Sequence, residues 1–320
     1  MATVTAESST SKPFVRVPTR RNQLSDRAVM NLFIWPTLIL LIIFNFFPLF
    51  YSLYLSFTSY RATSPTAPVW VGIQNYTNIL TDPDLWQAFT TSGRYVLFSV
   101  ALQTVVGFGL ALLVRGKFRG SGVVTTLILI PMMLSPVVVG LFWKLIYNPS
   151  FGFFNYAIPF INPAALDMIG SRFADIPVQY LALASVILVD VWMWSPFVML
   201  LVLSGLNAIP DYLYEAAAID RASSWFQFWR ITVPQVMPLL LIAVLFRTIE
   251  ALKSFDLVMG MTGGGPGNQT ELIAVYLFRV AFQGQFRSGY ASALAYIILI
   301  IVIAISNLYI RYLNQAKGEA

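Results

Sequence analysis

Cysteine and histidine are both absent from the 320-residue chain. The lack of cysteine excludes disulfides and thiol chemistry, and the lack of histidine removes the commonest general base and metal ligand. Charged residues are also scarce, at 11% of the chain, where a soluble domain carries about a quarter. These absences argue against an enzyme and against a soluble domain.

Apolar residues are abundant: they make up 58% of the chain, and the mean hydropathy is +0.72. A membrane-spanning helix needs about 20 mostly apolar residues. Six stretches meet this requirement: 31–57, 86–114, 122–147, 179–204, 237–259 and 289–312. The sequence therefore predicts an all-α integral membrane protein with six transmembrane helices, and Pro131, Pro136 and Pro196 predict kinks within it.

The distribution of lysine and arginine predicts the orientation of the spans. Most of these residues fall in the amino-terminal tail, after the second and fourth spans, and at the carboxyl terminus. The opposite segments hold Arg61, Arg172, Arg279 and Arg287. By the positive-inside rule both termini are cytoplasmic. This topology accounts for the net charge of +6, so no nucleic-acid partner is needed to explain it.

The predicted domain organisation follows from the spans. Residues 1–30 are rich in Ser, Thr and basic residues and are expected to form a disordered cytoplasmic tail rather than a signal peptide. Residues 31–313 form the six-helix transmembrane domain, and residues 314–320 a cytoplasmic carboxyl-terminal tail.

Residues 205–237 form a comparatively polar loop between the fourth and fifth spans. Within it, 211–229 predicts two short helices interrupted at 220–224. Apolar residues recur at spacings of three and four on both sides of the interruption, so each helix has an apolar face at the water side. Because the loop has nothing of its own to bury these faces, we expect them to dock on another protein.

The same loop carries a spaced motif. The matching positions are Glu215, Ala216, Ala217, Ile231, Val233 and Pro234. This spacing resembles the EAA loop of permease subunits of binding-protein-dependent ABC importers, which runs E-A-A, three residues, G, nine residues, I, any residue, L, P. Arg221 replaces the glycine and Val233 the leucine. The first change matters more, because Gly permits a left-handed turn that Arg normally avoids.

The resemblance covers roughly residues 30–313 and is to permeases of the maltose and glycerol-phosphate type. It implies a multi-pass subunit of a bacterial cytoplasmic (inner) membrane importer that works by alternating access, surrounded by membrane lipid. Its implied partners are a second permease, two cytoplasmic ATP-binding subunits and an extracytoplasmic solute-binding protein. ATP and Mg would be bound by the ATP-binding subunits, so no cofactor is expected in this chain. The implied coupling residues are Glu215, Ala216, Ala217, Asp220, Arg221, Ile231 and Pro234.

Charged residues recur at every third position along the predicted fifth span: Arg247, Glu250, Lys253 and Asp256. Residues three apart share a helix face, so these side chains are expected to form a ladder. Charges in a span face the bundle interior or a water-filled cavity. The ladder either neutralises itself and ties the spans together, or exposes Glu250, Lys253, Ser254 or Asp256 to a transported solute.

The fourth span contains a second unusual cluster, in which Asp190 lies close in sequence to Trp192 and Trp194. The C–H faces of a sugar pack on aromatic rings and its hydroxyls bond carboxylates, so this cluster suits a carbohydrate. The alternative is that the rings pack within the bundle and Asp190 pairs with Arg94, Lys144 or Arg247.

Two other functions are alternatives to an ABC permease. An ion-gradient-driven secondary transporter would show an internal repeat with paired broken helices, and none is detected in the sequence. An intramembrane enzyme would need a nucleophile or metal constellation, and none is found. The glycine-rich run TGGGPGN at 262–268 lacks the Lys-Ser/Thr of a phosphate-binding loop.

Overall fold

The computed structural model describes residues 25–116, 118–148, 178–284 and 286–318, and these residues form helices with a single isolated β-bridge between Thr58 and Trp70. The helices are α1 (Asp26–Ser56), α2 (Gln74–Leu80), α3 (Pro83–Arg115), α4 (Ser121–Met133), α5 (Pro136–Ile146), α6 (Val178–Ala208), α7 (Asp211–Ile219), α8 (Ser224–Gln227), α9 (Val233–Leu252), α10 (Asp256–Met261), α11 (Ile273–Phe282) and α12 (Ser288–Gly318).

Five of the helical segments are long and apolar enough to cross a membrane, and a bent pair makes a sixth. The five are Met30–Ser56, Pro83–Arg115, Ala182–Ala208, Ser224–Leu252 and Ser288–Tyr312. The all-α class and a count of five or six apolar spans are thereby confirmed for the described residues.

The bent pair is α4 and α5, which turn by 95° where one kinked span, 122–147, was predicted. Pro131 lies inside α4, and Pro136 is at the start of α5. Leu134 and Ser135 between them are extended, with ψ of 150° and 132°. A residue before proline avoids the helical region, so Ser135 cannot continue α4. The predicted kink in this span is a full break, whereas α6 continues past Pro196 to Ala208.

Helix α9 ends at Leu252, inside the predicted span 237–259, and α10 begins only at Asp256. Lys253 caps α9 with φ −96° and ψ 3°, and Phe255 has φ −128° and ψ −55°. Ser and Asp favour helix ends because their side chains compete for backbone groups, and a carboxylate is favoured in a first turn. The predicted fifth span is therefore interrupted between Leu252 and Asp256, so its four charged residues do not lie on one continuous helix.

Glycines allow two pairs of helices to approach closely. A Cβ on Gly107 of α3 would lie 2.6 Å from Val198 Cβ and 2.7 Å from the Ser195 carbonyl oxygen of α6. A Cβ on Gly140 of α5 would lie 2.6 Å from the Leu257 carbonyl oxygen of α10. Small residues at such contacts are typical of membrane helix packing. These contacts fix α6 and α10 against their neighbours.

The ends of the chain depart from the predicted boundaries. Helix α1 begins at Asp26, before the predicted end of the tail at residue 30, and α12 continues to Gly318, past residue 313. Both helices extend into the flanking residues because no proline or other strong helix breaker occurs there. These flanking residues include Asp26, Arg27 and Ala28 at one end, and Asn314, Gln315 and Ala316 at the other. The rest of the predicted disordered tail, residues 1–24, lies outside the described residues.

The chain divides into two compact units, with the boundary inside α1 between Tyr51 and Ser52. The described part of the first unit is helical, and its side chains from Met30 to Tyr51 are exposed. The second unit contains the remaining helices and three clusters of buried apolar side chains. All sites described below lie within the second unit.

Candidate functional site

The loop between α6 and α9 folds into two short helices, as the sequence predicted. Helix α7 spans Asp211–Ile219 and α8 spans Ser224–Gln227. Ser223 begins α8 as an N-cap, because its Oγ accepts a hydrogen bond from the Phe226 N–H at 3.2 Å. A π-helical turn, Phe228–Thr232, leads directly from α8 into α9. The loop and α9 thus form one continuous helical path.

The motif residues of α7 lie towards solvent. Glu215 and Ala216 are exposed, and Ala217 is half-buried. Asp220 caps the helix, and the Ala222 N–H donates to the Ala217 carbonyl at 2.9 Å. Helix α7 therefore presents the small Ala216 and the acidic Glu215 at the protein surface.

Arg221 adopts a left-handed backbone conformation, with φ +54°. This is the motif position where the family pattern has glycine, and the left-handed turn forms although Arg normally avoids it. A non-glycine residue in this conformation costs about 1–2 kcal/mol. The turn geometry that glycine would permit is thus present with arginine.

The second half of the motif ties the loop to the bundle. Ile231 packs against the buried cluster that includes Leu206 and Val236, while Pro234 is exposed in the first turn of α9. This proline removes one backbone donor from the helical path, and the π-helical turn lies directly before it. Ile231 thereby fixes the start of α9 relative to α6.

Tyr214 is a polar anchor for the loop that was not among the predicted coupling residues. Its hydroxyl lies 2.9 Å from Thr232 Oγ1 and accepts a hydrogen bond from Arg115 Nη1 at 3.2 Å. The Arg115 guanidinium also lies 4.9 Å from the centre of the Tyr214 ring. Tyr214 therefore links α7 to the end of α3 and to the start of α9.

Large apolar side chains of the loop remain exposed. They are Tyr212, Ile219, Trp225, Phe226 and Trp229, with exposed fractions of 64%, 82%, 71%, 52% and 50%. We call this set the loop patch. Its rings also contact one another, with Trp225 and Trp229 centroids 5.6 Å apart. An exposed apolar cluster on otherwise polar helices is typical of a protein-docking surface.

A polar pocket of about 100 Å³ lies at the other end of α9. Its lining includes all but one of the residues predicted to face a solute, namely Asp190, Trp194, Glu250, Lys253, Ser254 and Asp256. The exception is Trp192, whose ring packs edge-on against Trp143 with centroids 5.5 Å apart. Pro136, at the start of α5, also lines the pocket.

One wall of this pocket contains a buried network of charged and polar side chains. Asp190 and Arg247 form an ion pair at 3.4 Å, and both side chains are only 3% exposed. Gln103 of α3 donates to Asp190 Oδ2 at 2.7 Å and accepts from Arg247 Nε at 2.8 Å. The Arg247 guanidinium also stacks on Trp194, at 4.6 Å from the ring centre. Of the three cations proposed as partners for Asp190, Arg247 is the one that forms the ion pair.

The mouth of the pocket carries exposed charges. Lys253 donates to Glu250 Oε1 at 2.9 Å, and both side chains are about half exposed. Asp256 is exposed in the first turn of α10. The Ser254 hydroxyl lies 3.2 Å from the Tyr95 hydroxyl, which places α3 at the pocket edge. The mouth of the pocket thus offers two carboxylates and an ammonium group to a ligand, and the Trp194 ring also lines the pocket.

Gln103 and Tyr95 were not predicted as site residues. The available signal was weak: Gln103 is a buried amide in an otherwise apolar part of α3. Among the described residues, no group of three or more Asp, Glu, His or Cys is placed to hold a metal ion.

A second polar cluster lies at the other end of α3, opposite the loop patch. Asp82 N-caps α3 with one carboxylate oxygen and accepts hydrogen bonds from the Tyr276 and Tyr290 hydroxyls with the other, both at 2.7 Å. Burial raises the pKa of Asp82, but these hydrogen bonds outweigh it and the pKa lies below its ordinary value. Burial and the carboxylate contact raise the pKa of Tyr276 to about 12. Asp82 therefore stays ionised and joins α3, α11 and α12.

Comparison with known proteins identifies a protein family and several relatives of this chain. Residues 103–318 match the family model described as binding-protein-dependent transport system inner membrane component. The chain is 32% identical, over 88% of its length and 92% of the relative's, to the trehalose/maltose transport system permease protein MalF of Thermococcus litoralis. It is 32% identical to the sulfoquinovosyl glycerol transport system permease protein SmoG of Agrobacterium fabrum, over 92% and 94% of the two chains.

The fold is also found in a solved structure of a bacterial alginate ABC transporter in complex with a pentasaccharide-bound periplasmic protein. The TM-score is 0.73 at 20% identity, covering 88% of this chain and 92% of the other. The family match and the relatives agree with the motif in the loop. The chain therefore belongs to the family of binding-protein-dependent transport system inner membrane components, and it is an ABC transporter permease subunit, a transport component rather than an enzyme.

Proposed function

We propose that this chain is one of two permease subunits of an ATP-driven importer that moves a sugar, polyol or sugar derivative across the bacterial inner membrane. Relatives at 32% identity are named for trehalose/maltose and sulfoquinovosyl glycerol transport, both polyhydroxylated solutes. The pocket chemistry agrees with such a solute, since Trp194 offers an apolar ring face and Glu250 and Asp256 offer hydroxyl acceptors.

The proposed mechanism depends on helix α9. It joins the loop at Thr232 to the pocket at Lys253. At 1.5 Å per residue, this distance is about 31 Å. A rigid helix of that length transmits a displacement of the loop to the pocket wall. We infer that closure of two cytoplasmic ATP-binding subunits on the loop patch opens the pocket outward, and that hydrolysis returns it inward.

The size of the pocket supports a second permease. Ligand pockets usually hold about 300–1,000 Å³, and the polar pocket of this chain holds about 100 Å³. We infer that this chain supplies one wall and that the second permease supplies the facing wall. An extracytoplasmic solute-binding protein would deliver the solute at the Asp82 end, with both termini and the loop on the cytoplasmic side.

The energy source is tested in proteoliposomes that contain the complete complex with its binding protein. Uptake of a carbohydrate panel should require hydrolysable ATP on the loop side and should stop when hydrolysis is blocked by vanadate. Uptake driven by an ion gradient in ATP-free vesicles would overturn the proposal and favour a secondary transporter.

The pocket is tested by Trp194→Ala, Lys253→Ala and Asp256→Ala in the same assay. At least one variant should impair uptake while the complex still assembles, because these side chains line the pocket on three different segments. Trp192→Ala is the matched control, since Trp192 lies outside the pocket lining. Unchanged apparent affinity and maximal rate in all three pocket variants would make the pocket structural.

A further inference from the structure

Tyr214 attaches helix α7 to the rest of the bundle. The helix has no fully buried residue, and its half-buried Leu213 and Tyr214 pack on a buried apolar cluster of α3, α6 and α9. The Tyr214 hydroxyl also accepts a hydrogen bond from Arg115 at the end of α3 and contacts Thr232 just before α9. This side chain therefore contacts two long helices at once.

The chain connections on either side of α7 are not helical. Pro210, between α6 and α7, is extended, with φ −65° and ψ 136°. Arg221, between α7 and α8, has the left-handed φ of +54°. Residues at the ends of elements can absorb changes in φ and ψ when an element moves. A displacement of α7 can therefore be taken up as rotation at these two joints, unless a side chain fixes the helix to its neighbours.

Helix α3 leads from Tyr214 to the polar pocket. Its last residue is Arg115, and Gln103 and Tyr95 lie about 18 Å and about 30 Å away along the same unbroken helix. The Gln103 amide bonds both members of the buried ion pair, at 2.7 Å and 2.8 Å. The Tyr95 hydroxyl lies 3.2 Å from the Ser254 hydroxyl at the pocket edge. Movement of α3 at its Arg115 end therefore reaches two parts of the pocket wall.

The pocket wall requires α3, α6 and α9 to move together. Asp190 on α6 and Arg247 on α9 form the buried ion pair, so movement of α9 alone would separate two charges that are each 3% exposed. A buried charge without its partner is strongly destabilising. Gly107 packs α3 so closely on α6 that a Cβ there would lie 2.7 Å from the Ser195 carbonyl oxygen. A connection from α7 to α3 would therefore move α3 and α6 along with α9.

On the basis of the function proposed above, we propose that Tyr214 and Arg115 form this connection, a second route beside α9 by which displacement of α7 reaches the pocket. Tyr214 is a positioning residue. Its ring lies 4.9 Å from the Arg115 guanidinium and its hydroxyl accepts from Nη1 at 3.2 Å, so both parts hold α7 against α3. The Thr232 contact, at 2.9 Å, ties the same hydroxyl to the start of α9. One side chain thus joins both routes.

The proposal is tested on the intact complex in lipid nanodiscs, with its ATP-binding subunits and binding protein. Glu250→Cys places a thiol at the pocket mouth, where the native side chain is 58% exposed, in a chain without native cysteine. The rate at which a maleimide alkylates this thiol is measured without nucleotide and after trapping with ATP and vanadate. The two rates should differ in the otherwise wild-type chain, because closure of the ATP-binding subunits moves the pocket wall.

Two variants remove the connection to α3. Tyr214→Phe removes the hydroxyl and keeps the ring, and Arg115→Gln removes the guanidinium. Loss of a hydrogen bond from a charged donor weakens a contact about tenfold, equal to about 1.4 kcal/mol. Each variant should therefore lose most of the difference between the two alkylation rates, while the ATP-binding subunits still co-purify. Arg115→Lys keeps a charged donor and should retain much of the difference.

Three further variants separate transmission through α3 from other effects. The double variant Tyr214→Phe with Arg115→Gln should be no more impaired than the worse single variant, because both remove the same contact. Thr232→Val removes only the hydroxyl on the α9 side of Tyr214 and should keep most of the rate difference. Tyr312→Phe removes the hydroxyl of a tyrosine that is 57% exposed in α12 and should behave as the wild type.

An unchanged rate difference in Tyr214→Phe and Arg115→Gln would overturn the proposal and leave the function proposed above intact. Loss of the difference in Thr232→Val together with its retention in Arg115→Gln would also overturn it, since α9 alone would then be the route. Loss of the ATP-binding subunits from Tyr214→Phe would show that this residue acts in docking and not in transmission. Equal rates in the wild-type background would instead contradict the proposed function itself, and the second route with it.

Discussion

Replacing Asp190 with Asn should strongly destabilise the helix bundle, because it removes one partner of a buried ion pair. Asp190 and Arg247 are each 3% exposed, and the variant would leave the guanidinium with neutral contacts only, from Gln103, Trp194 and the new amide. Leaving one charge of a buried pair without its partner costs about 3–5 kcal/mol. We therefore expect Asp190→Asn to lower the free energy of unfolding by about 3 kcal/mol or more.

The same reasoning predicts recovery in a double variant. Asp190→Asn combined with Arg247→Gln removes both charges and keeps hydrogen-bonding groups next to Gln103. A buried pair contributes little net stability relative to neutral replacements, so the double variant should recover at least half of the loss. The exposed pair Glu250–Lys253 supplies the control. The Glu250 side chain is 58% exposed and the Lys253 side chain is 52% exposed. Glu250→Gln should cost no more than about 1 kcal/mol.

The assay is denaturant titration of the purified complex in mixed micelles, followed by tryptophan fluorescence and by the amount of assembled complex. A cost below about 1 kcal/mol for Asp190→Asn would refute the reasoning. So would a double variant that is as unstable as the single variant, since the penalty would then not come from the unpaired charge of Arg247.

Three further predictions concern the loop and the Asp82 cluster. Arg221→Gly should keep solute-stimulated ATPase activity and raise the unfolding free energy by about 1 kcal/mol, because glycine adopts the φ of +54° without strain; loss of activity would show that the Arg221 side chain itself is needed. Ala217→Leu should leave membrane insertion intact but weaken association with the ATP-binding subunits about fivefold or more, since overpacking a contact costs about 1–3 kcal/mol; unchanged co-purification would contradict this. Because the folded pKa of Asp82 is depressed, its stabilising effect is present above the ordinary pKa of about 3.9 and is lost as the pH falls through the depressed value. The stability difference between wild type and Asp82→Asn should therefore be largest near pH 6 and shrink below pH 4, and a difference independent of pH would refute the role of the carboxylate.

The loop helices could be predicted from the sequence because their signals are local. A start at Asp211, the interruption around Arg221 and the apolar spacing on both sides lie within a few helical turns. The left-handed conformation of Arg221 was not predicted, because local preference argues against it. The surrounding contacts, including the Ala222 to Ala217 hydrogen bond, impose it instead.

The pocket could be predicted only in part. Charged residues and tryptophans are unusual in apolar spans, and this made the pocket residues recognisable. The three-residue spacing of the charges predicted a ladder only because the fifth span was taken as one unbroken helix. The end of α9 at Leu252 turns Lys253 and Asp256 to the pocket mouth and leaves Arg247 in the interior. The choice of Arg247 as the partner of Asp190 is a tertiary fact that spacing along the chain does not contain.

The loop patch is the proposed contact with the ATP-binding subunits, and the whole coupling mechanism depends on it. Because the chain has no native cysteine, a single cysteine introduced at Ile219 reports the contacts of that position alone. Ile219 is 82% exposed. Cross-linking of the active complex from Ile219 should capture an ATP-binding subunit, whereas a cysteine at the exposed Val69, before α2, should not. An active complex in which Ile219 never cross-links to an ATP-binding subunit would contradict the account.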